Sequence, residues 1–190
     1  MSRLRDPDEI LALVRKASED QGSLPPVDKW HPDHEGVVDM RIARDGTWYY
    51  QGTPIKRPAM VRLFSTILRR EGDDYFLLTP VEKLKIDVED APFVAVLVDQ
   101  LEDGDNPRLA FTTNVGATVI ADAEHPIRVE TDPETGEPAP YLLVRNNLEA
   151  LIHRNVFYEL VDMAQPVSRE DGQWLVLESG GEQWPIGKIS

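Results

Sequence analysis

The sequence predicts an α+β protein made of two related halves behind an N-terminal helix, and three observations carry that prediction. Apolar residues alternate at period two in several short runs bounded by Gly, Pro, Asn and Asp. Two other runs repeat at helical spacing. The order hairpin, helix, hairpin then occurs twice along the chain. With 190 residues, 41% hydrophobic and 28% charged, the chain has the composition of a folded globular protein.

In chain order, Asp6 or Asp8 caps a helix carrying Ile10, Leu11, Leu13, Val14 and Ala17, with Pro7 in its first turn and Gly22 past its end. From Gln21 to Gly36 no periodicity survives, which predicts a surface connector pinned by Trp30. Residues 37–43 and 47–50 flank Arg44-Asp45-Gly46, and Asp-Gly predicts a tight hairpin turn. Pro58 opens a helix expected to run to Arg70 and to stop at Gly72, with Val61, Phe64, Ile67 and Leu68 on one face. Strands follow at 75–79 and 81–89, the second alternating Leu84, Ile86 and Val88 against charged neighbours.

Residues 93–101 and 109–113 read as strands joined by an acidic loop, Glu102-Asp103-Gly104-Asp105-Asn106-Pro107. Strands at 127–130 and 141–144 flank a Pro/Gly turn. A long helix is expected from about Asn147 to Met163, on the spacing of Leu148, Leu151, Ile152 and Leu160. A last hairpin spans 173–178 and 183–186 around Ser179-Gly180-Gly181. Sliding the two helices by 84 positions sets Phe64 on Leu148 and Ile67 on Leu151. The resulting organisation is a helix and connector at 1–36, a first α+β half at 37–91 and a second at 92–190. A cleft between related halves is the natural place for a ligand.

Absent residues exclude much chemistry. With no cysteine there is no disulfide, thiolate nucleophile or Cys-based metal site. None of G-x-S-x-G, G-x-x-x-x-G-K-[ST] or G-x-G-x-x-G occurs. His31-Pro32-Asp33-His34-Glu35 has the residue types of a metal cluster but sits on a Pro-containing loop, and a solvated loop is the better reading. Asp87 and Glu89, with Asp90 next to them, are the best acid/base candidates, yet opposed charges on a wet strand with Lys85 explain them equally well. No cofactor is expected. Charges interrupt the N-terminus before any signal-peptide core forms, and no stretch nears about 18 consecutive apolar residues. A cytoplasmic protein without membrane association is therefore expected.

Charge distribution is more telling. The chain carries 34 acidic and 20 basic residues, for a net charge of −14, yet from Gly46 to Arg70 it has no acid and five cations, Lys56, Arg57, Arg62, Arg69 and Arg70. All other segments together stand at −19. Trp48, Tyr49, Tyr50 and Phe64 are interleaved, so the stretch combines cations for phosphate oxygens with rings able to stack on bases. A second acid-free stretch, Pro138 to Leu148, offers Tyr141, Arg145, Asn146 and Asn147. Two walls of one anion-binding cleft are one reading; core aromatics plus arginines that pair with the acidic excess are the other. The surrounding negative charge favours a small or single-stranded anion over a long duplex.

Five segments in order carry a family resemblance: Gly52-Thr53-Pro54-Ile55-Lys56-Arg57, Thr79-Pro80-Val81-Glu82-Lys83, Val88-Glu89-Asp90-Ala91-Pro92-Phe93, Thr113-Asn114-Val115-Gly116 and Pro140-Tyr141-Leu142-Leu143-Val144-Arg145. Together they resemble the proteobacterial domain-of-unknown-function family numbered 1285, over roughly Trp30 to Trp184. The resemblance implies a tandem of two α+β halves, the second loosely pleckstrin-homology-like, with a site between halves and a nucleic-acid-type ligand. It implies no catalytic residue. The expected ligand set is Lys56, Arg57, Arg62 and Arg145 for charge, Tyr50 and Tyr141 for stacking, and Asn114. The expectation is a binding or regulatory protein for a nucleotide-like ligand or short single-stranded nucleic acid, with a protein–protein adaptor in signalling as the alternative and an enzyme last.

Overall fold

The computed structural model describes residues 6–18, 24–103 and 105–189, and the chain divides into two units between Asp90 and Ala91. Gly22 and Gly104, invoked above as a helix stop and a loop residue, lie outside the described residues.

In the first unit, helix α1 (Pro7–Ser18) begins where Asp6 Oδ1 accepts the Asp8 N–H at 2.9 Å, one of the orphan donors of a helix start. Ile10, Leu11 and Val14 are buried. The connector is anchored by buried Val27 on a short 3-10 turn, Val27–Lys29, while Trp30 stays half-buried and offers its carbonyl to Arg69. Strand β1 (His34–Ile42) starts earlier than expected, so His34 and Glu35 belong to a strand and not to a loop. Val38, Met40 and Ile42 alternate inward, as period two requires.

A turn at 43–46 leads to β2 (Trp48–Tyr50). The Gly46 N–H donates to the Ala43 carbonyl at 2.9 Å and Gly46 has φ +91°, so only the glycine takes the left-handed position of this turn. After β3 (Thr53–Pro54), helix α2 (Pro58–Ser65) packs on the sheet through Phe64, whose ring stacks on Trp48 at 6.0 Å. The helix does not reach Arg70. Ser65 and Thr66 hydroxyls donate at 2.6 Å to the Arg62 and Leu63 carbonyls, and the chain turns into β4 (Leu68–Glu71). Leu68 then pairs across Gly72 with Leu77 of β5 (Asp74–Leu78), which a helix would forbid. Gly72, at φ +60°, is thus a hairpin residue and not a helix stop. Strand β6 (Glu82–Val88) buries Leu84 and Ile86 as expected. The sheet order is β3-β2-β1-β6-β5-β4, with β1 and β6 parallel at its centre.

In the second unit, β7 (Phe93–Asp103) and β8 (Asn106–Thr113) run further than expected, pairing as far as Asp103 with Asn106, so most of the acidic loop is strand. Then come β9 (Thr118–Ile120), β10 (Ile127–Thr131) and β11 (Pro138–Arg145). The expected helix from Asn147 is corrected: Leu148–Ile152 is strand β12, and helix α3 occupies only Arg154–Met163. Leu148, Ala150 and Ile152 are buried at period two, and His153 caps α3 by accepting the Asn155 N–H at 3.2 Å. The second sheet runs β10-β11-β12-β7-β8-β9, with β12 and β7 parallel. The final hairpin is part of a third, three-stranded sheet: β13 (Gln165–Arg169), β14 (Gly172–Ser179) and β15 (Glu182–Lys188).

Both six-stranded sheets follow one plan. Three strands lead from the centre to one edge, and three return from the other edge to the centre. The similarity of halves is therefore real, but the 84-position match of helices is not its basis. Helix α2 lies between the third and fourth strands of its sheet, whereas α3 follows the sixth, so Phe64 of α2 was set against a residue of β12. No helix is long and apolar enough to cross a membrane among the described residues.

Candidate functional site

The first acid-free stretch comprises β2, β3, α2 and the start of β4. Its two-residue turn has Gln51 at φ +50° and Gly52 at φ +79°, which turns the chain tightly from Tyr50 to Thr53 and sends Lys56 and Arg57 to the start of α2. Lys56, Arg57 and Arg62 are all exposed. Acids outside the stretch take up part of this charge: Arg57 Nη2 lies 2.9 Å from Asp8 Oδ1 on α1, and Arg69 pairs with its strand neighbour Glu71 at 3.3 Å. Arg70 donates to the Gly72 carbonyl at 2.9 Å and stands over Tyr75. Lys56 and Arg62 make no ion pair with any described residue.

Tyr50 is half-buried, and its surroundings are acidic. Burial pushes its phenol pKa up, and the carboxylates of Asp6, Asp39 and Glu9 push it the same way. Trp48 and Phe64 form core, as the structural reading of these aromatics expected.

In the second unit, Arg145 and Asn114 converge on the first residues of β7. The Arg145 guanidinium stands 5.4 Å from the Phe93 ring centroid, and Asn114 brackets Val94 by accepting its N–H at 3.0 Å and donating its own backbone N–H to the Val94 carbonyl at 2.8 Å. Tyr141 is buried, its ring face covered by Arg128 at 4.4 Å. Glu149, accepting at 2.6 and 2.8 Å, and Glu130 hold that guanidinium in place, and the Glu149 carboxylate raises its pKa.

Of the acid/base candidates, Asp87 is exposed while Glu89 and Asp90 are tied into structure. Glu89 accepts from Arg41 and from the Arg44 backbone N–H at 2.9 Å, and Asp90 lies 3.4 Å from Arg44. Lys85 pairs with Asp74 at 3.4 Å instead of with its strand neighbours. Among the described residues no group of three or more His, Asp or Glu side chains is arranged to hold a metal ion. Sequence reasoning missed the partners that neutralise the cations, since Asp8 and Arg57 are brought together only by α1 packing on α2.

Two family models match the chain. The N-terminal domain of the domain of unknown function DUF1285 matches residues 25–91, and the C-terminal domain of the DUF1285 protein of unknown function matches residues 92–186. Among solved structures, a DUF1285 family protein from Silicibacter pomeroyi DSS-3 is 52% identical, with a TM-score of 0.82 over 95% of each chain. A DUF1285 family protein from Shewanella baltica OS155 is 28% identical, with a TM-score of 0.52 over 65% of this chain and 90% of its own. No curated protein matches.

Proposed function

The chain belongs to the DUF1285 family, and from that premise we propose that it is a binding or regulatory protein for a small anionic ligand of nucleotide type. One observation carries this reading. In a chain of net charge −14, the exposed Lys56 and Arg62 face no described acid and lie in a stretch without any acidic residue. Cations in such a setting are satisfied by a diffusible anion, and phosphate groups match them in charge and donor count.

Arg57 joins them when its exposed pair with Asp8 exchanges for ligand, a contact worth little on its own. Tyr50 supplies a stacking ring in the same unit. In the second unit Arg145 and Asn114 are the contributors, and Tyr141 adds its ring only after Arg128 moves off it. The same reading takes 37–91 and 92–190 as the domains after the 1–36 lead-in, treats the second as loosely pleckstrin-homology-like, and places the protein in the cytoplasm.

Calorimetric titration of the full chain with the four ribonucleoside monophosphates and with short single-stranded RNA and DNA tests the proposal. Saturable binding that weakens about tenfold in K56A/R62A, as expected from losing two phosphate contacts, supports it. No binding by any of these ligands, or binding unaffected by K56A/R62A and by R145A, rejects it.

A protein–protein adaptor is the second reading, favoured by β7. Val96, Leu97 and Leu101 are exposed there, Leu97 at 58%, beside Asp99 and Glu102. A stoichiometric protein partner whose binding is lost in L97D, with no nucleotide binding, would favour this reading over the first.

A further inference from the structure

The second unit holds a cavity of about 190 Å3 lined by residues of its second and third sheets. Cross-strand partners share a sheet face, and on the third sheet Gln165 pairs with Val176 while Glu178 pairs with Gln183. These four and Val167, two residues from Gln165, thus present one surface to the cavity. On the second sheet Gln100 pairs with Leu109, and both line the cavity, with Met163 from the last turn of α3 beside them.

Hydrogen bonds hold the two walls together. Ser179, fully buried, accepts the Leu109 N–H at 2.8 Å and donates to the Ala121 carbonyl at 2.7 Å, and the Gly180 N–H reaches the Pro107 carbonyl at 3.1 Å. The cavity is therefore preformed, and a ligand does not have to pay for assembling it.

Its chemistry is one-sided. Leu109 and Val176 are buried and Met163 and Val167 half-buried, giving an apolar floor. Around it stand three carboxamides and a single charged group, the carboxylate of Glu178; none of the lining residues is a cation. An anion would meet that carboxylate without a counter-charge. An ammonium or guanidinium finds a counter-ion and amide oxygens as acceptors, while the floor covers its methylene stem. The volume lies below the roughly 300–1,000 Å3 of drug-sized sites, so the occupant is the size of one long side chain.

We propose that this cavity binds a cationic group on a short aliphatic stem, an alkylammonium or alkylguanidinium, with Glu178 as counter-ion and Gln100, Gln165 and Gln183 as acceptors. The group comes either from a free small amine or from a Lys or Arg side chain of a partner polypeptide. The proposal is independent of the anion-binding reading, because the ligand has the opposite charge and the residues are different.

NMR of the full chain tests it, reading the methionine methyls and the glutamine side-chain amides during titration with n-butylguanidinium. n-Pentanol serves as the neutral analogue, glutarate as the anion and acetyl-Gly-Arg-Gly-amide as the peptide-borne group. Butylguanidinium is expected to shift the Met163 methyl and the Gln100, Gln165 and Gln183 amides saturably, leaving the Met40 and Met60 methyls in place. E178Q, at an exposed position, weakens binding about two- to fivefold, the range of an exposed ion pair. V167W fills the cavity from the edge strand β13 and abolishes the response. An equal response to the peptide assigns the source to a polypeptide; a response to butylguanidinium alone assigns it to a free amine. Absence of a saturable shift, pentanol or glutarate binding as well as butylguanidinium, or E178Q titrating like the parent protein each overturns the proposal.

Discussion

Replacing Ser179 by Ala removes one oxygen from a fully buried position and strands two backbone groups. The hydroxyl takes the Leu109 N–H at 2.8 Å and gives its proton to the Ala121 carbonyl at 2.7 Å, and Leu109 and Ala121 are themselves buried. A net hydrogen bond is worth about 1 kcal/mol, and a buried donor left unsatisfied costs about 1–3 kcal/mol more, a carbonyl less. The expected loss is about 2–4 kcal/mol. Native-state hydrogen exchange reads this within the second unit, where the slowest amides of β8 and β14 should exchange about 30- to 700-fold faster, at about 1.4 kcal/mol per factor of ten. An acceleration below about fivefold would refute the reasoning, because the hydroxyl would then not be holding β14 to β8 and to Ala121 just past β9.

Beside it, Gly180→Ala should lower the melting temperature: at φ +59° a Cβ would sit 2.8 Å from Asp122 Cβ and 2.9 Å from the Ala121 oxygen, and strain of about 1–3 kcal/mol follows. The Asp171 carboxyl accepts the Trp174 indole N–H at 2.9 Å, which lowers its pKa. Whatever stability this contact gives is present above the ordinary aspartate pKa and lost as pH falls through the depressed one; the Trp174 indole resonance should titrate below the ordinary aspartate range, and D171N should abolish that titration. For Tyr50 the sign is reversed. Burial and then Asp6, Asp39 and Glu9 favour the neutral phenol, so its contribution is present below the ordinary tyrosine pKa and lost as pH rises through the elevated one. Ultraviolet titration should show a late-ionising phenol that Y50F removes. Glu89→Gln should cost no more than about 1 kcal/mol in urea unfolding, since its pair with Arg41 is about 40% exposed on both sides.

Where the turn chemistry was explicit, the fold was legible in the sequence. Asp45-Gly46 marked the first hairpin, and Leu84, Ile86 and Val88 marked β6, because a left-handed turn position and a period-two face each leave a local trace. Leu148, Leu151 and Ile152 misled because they satisfy helical spacing while Leu148, Ala150 and Ile152 satisfy strand spacing. The deciding signal was Asn146, at φ +51°, where Asn146-Asn147 turns β11 back into β12. Ile67 and Leu68 misled in the same way, and only pairing with β5 shows Leu68 as strand. The cations of the candidate site were visible as an acid-free run, but what neutralises them was not. Arg57 meets Asp8 and Arg128 meets Glu149 through packing and cross-strand register, which no local pattern records. The amine-sized cavity left no trace either, since its lining comes from six elements.

The shared strand plan has a consequence for how a duplicated chain avoids assembling wrongly. In each six-stranded sheet every ladder joins consecutive strands except the central parallel one, which unites the first strand with the sixth. Each sheet is thus two quickly formed meanders waiting on one slow seam, and until the sixth strand emerges during synthesis the inner edge of the first is open. Two such seams in one chain invite exchange between β6 and β12. Their chemistry differs: one seam sets His34 with Glu82, Glu35 with Lys83 and Arg41 with Asp87 among the pairs Gly36–Leu84, Val37–Lys85 and Ile42–Val88, whereas the other sets only apolar pairs, Phe93 with Ala150, Val94 with Leu151 and Ala95 with Ile152. A crossed seam would set charged residues of the first sheet beside apolar residues of the second, a mismatch that disfavours exchange.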